Sequence, residues 1–177
     1  MFNAAKLKFD DIFENRLSQE EVREYLLELY ERGETAAEIA GAASAMRDHL
    51  IALPIHEDLR AKAIDVVGTG GDKSYSFNIS STVSILLSAC GCYVAKHGNR
   101  SVTSKSGSAD MLEVLGINLN LDLESTAKML EETGFAFMFA NNHHPCMKYI
   151  TPVRKTIPHR TIMNILGPLC NPAGVTK

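Results

Sequence analysis

Over the first 60 residues the apolar positions recur every three to four residues, the spacing that lines one face of a helix. Ser18 followed by Glu21 reads as a capping box, and Val22, Leu26 and Leu29 form one apolar face before Gly33 stops the run. Thr35 and Glu38 repeat the device for a second helix, with Ile39, Ala42, Ala43 and Met46 facing inward. These helices carry no chemistry; their faces either pack on one another or seal a dimer. After Pro54 the pattern changes. The run Ala63 to Gly68 (AIDVVG) is short, apolar and ended by glycine, as expected of a buried strand. Asn78 to Cys90 reads as a helix with Ile79, Val83, Leu86 and Leu87 on its apolar face, and Cys92 to Ala95 as a second strand. Lys105 to Leu115 and Glu124 to Thr133 read as helices, and Phe135 to Ala140 (FAFMFA) as a third strand. Alternating strands and helices predict an α/β fold with a parallel sheet, whose ligands gather at the C-terminal ends of the strands. The expected organisation is therefore a small all-helical domain over 1–61, then an α/β domain over 62–177. The helices after residue 144 could pack with the helical domain. A hinge is placed near Leu59 to Ala63.

A chain of 177 residues suffices for one good-sized domain or one domain with an appendage. Its 45% apolar and 22% charged residues are ordinary for a globular protein, and no apolar run is long enough to span a membrane. The N-terminus meets acidic residues too early for a secretory signal, so a cytoplasmic location is expected. Cys90, Cys92, Cys146 and Cys170 lack metal-site spacing and read as reduced thiols. A net charge of −3 argues against a dedicated nucleic-acid binder. Its distribution is uneven: residues 1–66 hold 14 acids against 8 bases, whereas residues 140–177 hold five bases and no acid. That asymmetry points to an anionic ligand meeting the second half.

Two polar segments follow the predicted strands. The first is GTGGD, Gly68, Thr69, Gly70, Gly71 and Asp72. Its glycines let backbone amides approach an anion with no Cβ in the way, though a tight turn would use them equally well. The spacing matches neither a dinucleotide fingerprint nor a Walker loop. Asn78, Ser80 and Ser81 open the next helix. Asn78 can cap it, and the surplus hydroxyls suit phosphate oxygens or a divalent cation. The second segment, KHGNRSVTSKSGS, sets Lys96, Arg100 and Lys105 among glycines (Gly98, Gly107) and serines (Ser108), a composition suited to phosphate contact. Lys96 leaves the strand end and is expected to point into the site, and Asn99 can hold an uncharged polar group. After the third strand, His143 and His144 are adjacent and find no third ligand at metal-site spacing; contact with an aromatic or carboxylate substrate, together with Arg154, suits them better.

GTGGD, FNISST, KHGNRSVTSKSGSADMLEVLG, FMFANNHHPCMKYITPVRK and RTIMNILGPLCNP stand in the order of motifs in the anthranilate phosphoribosyltransferases, a family sharing its fold with pyrimidine nucleoside phosphorylases. From residue 63 to the end the chain resembles that family. The resemblance implies transfer of the phosphoribosyl group from phosphoribosyl pyrophosphate to the amine of anthranilate, in tryptophan biosynthesis, by a magnesium-dependent homodimer. It implies that Gly68 to Gly71, Asp72, Asn78, Ser80 and Ser81 hold the pyrophosphate and its Mg²⁺, with Ser80 as the metal ligand. Lys96 and Ser108 would contact the phosphoribosyl group, and Gly98 and Arg100 would line the substrate site. Asn99, His144 and Arg154 would receive anthranilate, with Arg154 on its carboxylate.

Three departures from the family pattern stand out. Ser81 occupies a threonine position, the helical region looks about one helix short, and the chain is about half the family's length. The family's acidic metal-binding pair would fall beyond Lys177, so the 177 residues are expected to be a truncated piece with little or no turnover. The alternatives are nucleoside-phosphorylase-like ribosyl transfer, a non-catalytic nucleic-acid-binding relative, and a folding or assembly unit with no site of its own.

Overall fold

A computed structural model of the chain describes residues 1–70, 77–100 and 106–177. Its elements, in order, are α1 (Phe2–Phe13), α2 (Gln19–Arg32), α3 (Ala36–Asp48), α4 (Glu57–Lys62), α5 (Ile79–Ala89), β1 (Val94–Gly98), α6 (Ser108–Val114), α7 (Leu123–Thr133), β2 (Phe135–Phe139), α8 (Ala140–His143), α9 (Met147–Lys155) and α10 (Ile162–Leu169). They fall into two compact units, one of Met1–Leu50 with His144–Cys170 and one of Ile51–His143 with Asn171–Lys177.

The first unit is all helical. Both expected capping boxes form: Ser18 Oγ accepts from the Glu21 amide at 3.3 Å while Glu21 Oε2 accepts from the Ser18 amide at 2.8 Å. Thr35 and Glu38 reproduce the exchange at 3.3 and 2.9 Å, so each helix start satisfies backbone donors that would otherwise be orphaned. Val22, Leu26 and Leu29 of α2 are buried as their spacing predicts, with Phe9, Ile12 and Phe13 of α1. Ile150, Val153, Ile162 and Leu166 of α9 and α10 complete the same core, so the segment after 144 belongs with the first 50 residues. This unit therefore closes at Leu50, where residue 61 was expected. The stretch 51–62 lies in the other unit, held by the Leu53 amide to the Pro172 carbonyl and by Arg60 Nε to the Ala173 carbonyl. The alanine-rich face of α3 reflects close approach of α1. A Cβ built on Gly41 would lie 2.6 Å from the Phe2 carbonyl oxygen and 3.0 Å from the Ala5 Cβ.

The second unit is α/β. β1 and β2 pair in parallel, Val94 opposite Phe135 through Gly98 opposite Phe139. The α7 helix ends at Gly134, whose φ of +74° makes the left-handed turn into β2. Both strands bury nearly every residue, as parallel strands covered on two faces must. Two expectations need correction. The AIDVVG run is not a strand among the described residues: it makes a single parallel bridge, Ile64 to Val94. In α5 the buried face is not the apolar one. Ser81 and Ser84 are buried and Ile85 packs on the core, while Ile79 and Leu86 are exposed. Serines at this spacing are small enough to admit the sheet closely. Ser84 Oγ is satisfied by the Ser80 carbonyl at 2.6 Å and Ser88 Oγ by the Thr133 carbonyl at 3.0 Å, which removes the cost of burying hydroxyls.

Candidate functional site

In the second unit, the chain after Ile64 and the chain after β1 leave neighbouring positions of the sheet in the same direction. Gly68, Thr69 and Gly70 follow the first and are exposed, with Gly70 at φ +65°. Gly71, Asp72, Lys73 and Lys105 lie outside the described residues. Asn78 does not cap α5 with its side chain. Its Nδ2 instead donates to Ser106 Oγ at 3.1 Å and the Gly107 carbonyl at 3.3 Å, tying the start of α5 to the start of α6. The Ser80 residue is half-buried, whereas Ser81 is only 2% exposed on the inner face.

The segment following β1 is held by its own backbone. Gly98 lies against Ser108 Oγ and the Phe137 ring, leaving no space for a Cβ. The Asn99 carbonyl accepts from Ser108 Oγ at 3.2 Å and from the Ala109 amide at 3.3 Å, and its Oδ1 accepts from the Arg100 amide at 2.7 Å. Arg100 is engaged with acids: its guanidinium pairs with Glu113 through two nitrogens at 2.8 and 3.0 Å and with Asp110 at 3.0 Å. Glu113 is held below the usual carboxylate range, chiefly by its hydrogen bond to Arg100. The pair is half-exposed, so phosphate oxygens compete with it at little cost.

Lys96 sits in mid-strand and is 2% exposed. Its Nζ donates to the Val66 carbonyl at 2.6 Å, two residues before Gly68. Burial pushes the ammonium below its ordinary pKa, partly offset by Asp65. An ammonium has three donors, so two remain beyond the Val66 bond among the described residues. Asp65 accepts from Asn171 Nδ2 at 2.7 Å and from the His97 amide at 3.1 Å. Its burial raises its pKa against those hydrogen bonds. The sequence assigns no role to Asp65, or to Asn171 within the motif RTIMNILGPLCNP. The available signals were a lone acid inside the apolar run AIDVVG and the Asn-Pro step after a helix.

His143 also belongs to this unit, its Nδ1 2.8 Å from the Ile51 carbonyl oxygen, and burial lowers its pKa. His144 and Arg154 belong to the first unit. His144 is buried; its carbonyl accepts from the Met147 amide at 3.0 Å at the start of α9. Arg154, near the end of α9, is half-buried, and loss of hydration pushes its pKa below the ordinary value. No hydrogen bond or ion pair of its guanidinium occurs among the described residues. A partly desolvated guanidinium with no counterion is a ready receptor for a carboxylate. Among the described residues no three His, Cys, Asp or Glu side chains are placed to hold a metal ion, and no helix is long and apolar enough to cross a membrane.

A family model described as the a/b domain of the glycosyl transferase family matches residues 60–177, and one described as its helical bundle domain matches residues 3–50. An anthranilate phosphoribosyltransferase of Methylorubrum extorquens (strain PA1) is 48% identical over 172 residues, covering 97% of this chain and 50% of the relative. Among solved structures, the anthranilate phosphoribosyltransferase of Thermus thermophilus superimposes with a TM-score of 0.90 at 40% identity, covering 96% of this chain and 51% of that one. The Saccharomyces cerevisiae enzyme, solved in complex with PRPP and Mg, does so with a TM-score of 0.82 at 28% identity, covering 97% and 50% respectively. The chain spans about half the length of the curated relatives it matches.

Proposed function

We propose that this chain, which belongs to the glycosyl transferase family with its helical bundle and a/b domains, serves phosphoribosyl transfer from phosphoribosyl pyrophosphate to the amine of anthranilate. The observation that carries this reading is the pair of neighbouring exits in the α/β unit. A glycine segment and the Lys96–Arg100 segment leave the same sheet edge, and Asn78 links the starts of the two helices that follow. Parallel sheets bind ligands at that edge.

Each residue has a stated part. The backbone around Gly68 to Gly70, with Gly71 and Asp72, would cradle pyrophosphate, aided by Asn78 and by Ser80 at the start of α5. Ser81 is the least suited of the predicted group, because its side chain faces the core. Lys96 would offer its two spare donors to the phosphoribosyl group, beside Gly98 and Ser108. Arg100 would join by exchanging Glu113 for phosphate. Arg154 would pair with the carboxylate of anthranilate, with Asn99 and His144 orienting the ring and amine. Ser80 fits magnesium in part: it offers one hydroxyl, while phosphate oxygens and water are the ion's other customary ligands. Magnesium, when bound, would offset the charge gathering on the leaving pyrophosphate. The amine of anthranilate arrives neutral and needs no strong base, so positioning and leaving-group stabilisation carry the rate. Turnover is expected to require carboxylates beyond those described, as well as homodimer formation through the helical unit.

Calorimetric titration of the chain with phosphoribosyl pyrophosphate and Mg²⁺ tests the reading. Saturable, magnesium-dependent binding that R154L leaves intact, with anthranilate binding lost in R154L, is the expected result. Binding of a pyrimidine nucleoside with no response to anthranilate would replace it with the phosphorylase reading. Affinity for nucleic acid alone, falling steeply with salt, would point to the non-catalytic one.

A further inference from the structure

The AIDVVG run stops pairing after one rung, and three side chains account for that. Ile64 makes the regular parallel exchange, its amide to the Tyr93 carbonyl and its carbonyl from the Ala95 amide, both 2.9 Å. In a parallel ladder the next rung would join the Val66 amide to the Ala95 carbonyl and the His97 amide to the Val66 carbonyl. Three of the four groups are diverted. The Ala95 carbonyl accepts from Asn171 Nδ2 at 2.9 Å, and the Val66 carbonyl from Lys96 Nζ at 2.6 Å. The His97 amide donates to Asp65 Oδ1 at 3.1 Å. Asn171 closes the arrangement. It is 7% exposed, its Nδ2 also donates to Asp65 Oδ2 at 2.7 Å, and its Oδ1 accepts from the Ala173 amide at 2.8 Å.

We infer that Asp65 and Asn171 are positioning residues that hold the sheet open at this rung, setting the separation between the glycine segment and the Lys96–Arg100 segment so that a phosphorylated ligand enters between them. The inference rests on the phosphoribosyl reading above. Buried backbone groups must be paired, so the two segments either zip together or receive substitutes from side chains. The substitutes here come from Asp65 in the first segment, Lys96 in the second and Asn171 in a third. The divergence therefore begins two residues before Gly68 and one before Gly98, where the predicted ligand groups start. Neither Asp65 nor Asn171 needs to touch the ligand for this.

The experiment compares wild type with N171A and D65N, using phosphoribosyl pyrophosphate with Mg²⁺ as the probe and amide hydrogen exchange as the structural readout. Removing the Asn171 amide leaves the Ala95 carbonyl buried and unpaired, which drives the Val66 amide toward it. The expected result is slower exchange at Val66 in N171A and affinity weakened about tenfold, the equivalent of one buried hydrogen bond. D65N is expected to weaken affinity similarly, because its amide faces the Asn171 amide donor to donor. A filler role would move thermal stability alone, leaving Val66 exchange and affinity unchanged in folded variants; that result overturns the inference. Should neither variant fold, wild type suffices: coupling is reciprocal, so the probe must slow exchange at the Ala173 amide, which Asn171 holds outside both segments. Protection confined to the glycine and Lys96–Arg100 segments would overturn it. A wild-type chain that ignores the probe refutes the phosphoribosyl reading as well, whereas equal binding by wild type and variants refutes this inference alone.

Discussion

Gly98→Ala tests the packing of the second unit most sharply. A methyl built on Gly98 overlaps Ser108 Oγ and stands 2.8 Å from Cε2 and 3.1 Å from Cζ of Phe137. Gly98 has no positive φ, so the penalty is one of space and not of backbone conformation. Ser108 can rotate away, at the loss of its bond to the Asn99 carbonyl, worth about 1 kcal/mol net. The Phe137 ring is buried beside Leu112 and Leu119 and has nowhere to move. Overpacking of this kind costs about 1–3 kcal/mol. With a urea slope of about 1–3 kcal/mol/M, the midpoint of G98A should fall by about 1 M. Removing the hydroxyl as well, in G98A/S108A, should restore part of that loss, because neighbouring sites do not add. Urea unfolding followed by circular dichroism, beside titration with phosphoribosyl pyrophosphate and Mg²⁺, provides the assay. An unchanged midpoint in G98A, or a double variant as unstable as the two single losses summed, would refute the steric account.

The Arg32 guanidinium holds the Glu38 carboxyl at about 2, against 4.5 for the free group. A depressed carboxylate contributes stability above its unfolded pKa and loses it as pH falls through the folded one. Wild type should therefore weaken from about pH 4.5 towards pH 2, and E38Q should show a flatter acid limb in the same melts. G41V drives a branched side chain into the α1 backbone and should cost upwards of about 2 kcal/mol, read by thermal unfolding. R154L removes a partly desolvated charge with no ion pair among the described residues, so its melting temperature should hold or rise while anthranilate binding falls more than about tenfold, the scale of one charge-assisted hydrogen bond. E113Q loosens a half-exposed pair and should shift stability by less than about 1 kcal/mol, in the same unfolding assay.

What could be read from order along the chain was whatever depends on neighbours. The capping boxes at Ser18 and Thr35 are exchanges across three residues, and they formed as their spacing required. β2 matched its apolar run, because a strand buried on both faces needs only apolar side chains in sequence. The glycine and KHGNR segments announced themselves through composition. The α5 helix did not follow its own apolar stripe. Its inner face is Ser81, Ser84, Ile85 and Ser88, chosen by how near the sheet approaches and by carbonyls able to receive the hydroxyls.

The same division explains the remaining differences. AIDVVG has the composition of a strand, but pairing is a property of two segments, and Lys96 and Asn171 supply competing bonds from 30 and 106 residues away. Residues 144–170 join the first 50 because their apolar faces fit that core, a match invisible to any local window. Periodicity, caps and local composition are short-range quantities and were legible in the residues. Which hydrogen-bond partner wins, which helix face turns inward and which distant segment completes a core depend on competition across the folded chain, where burial makes an unpaired group costly enough to choose the winner.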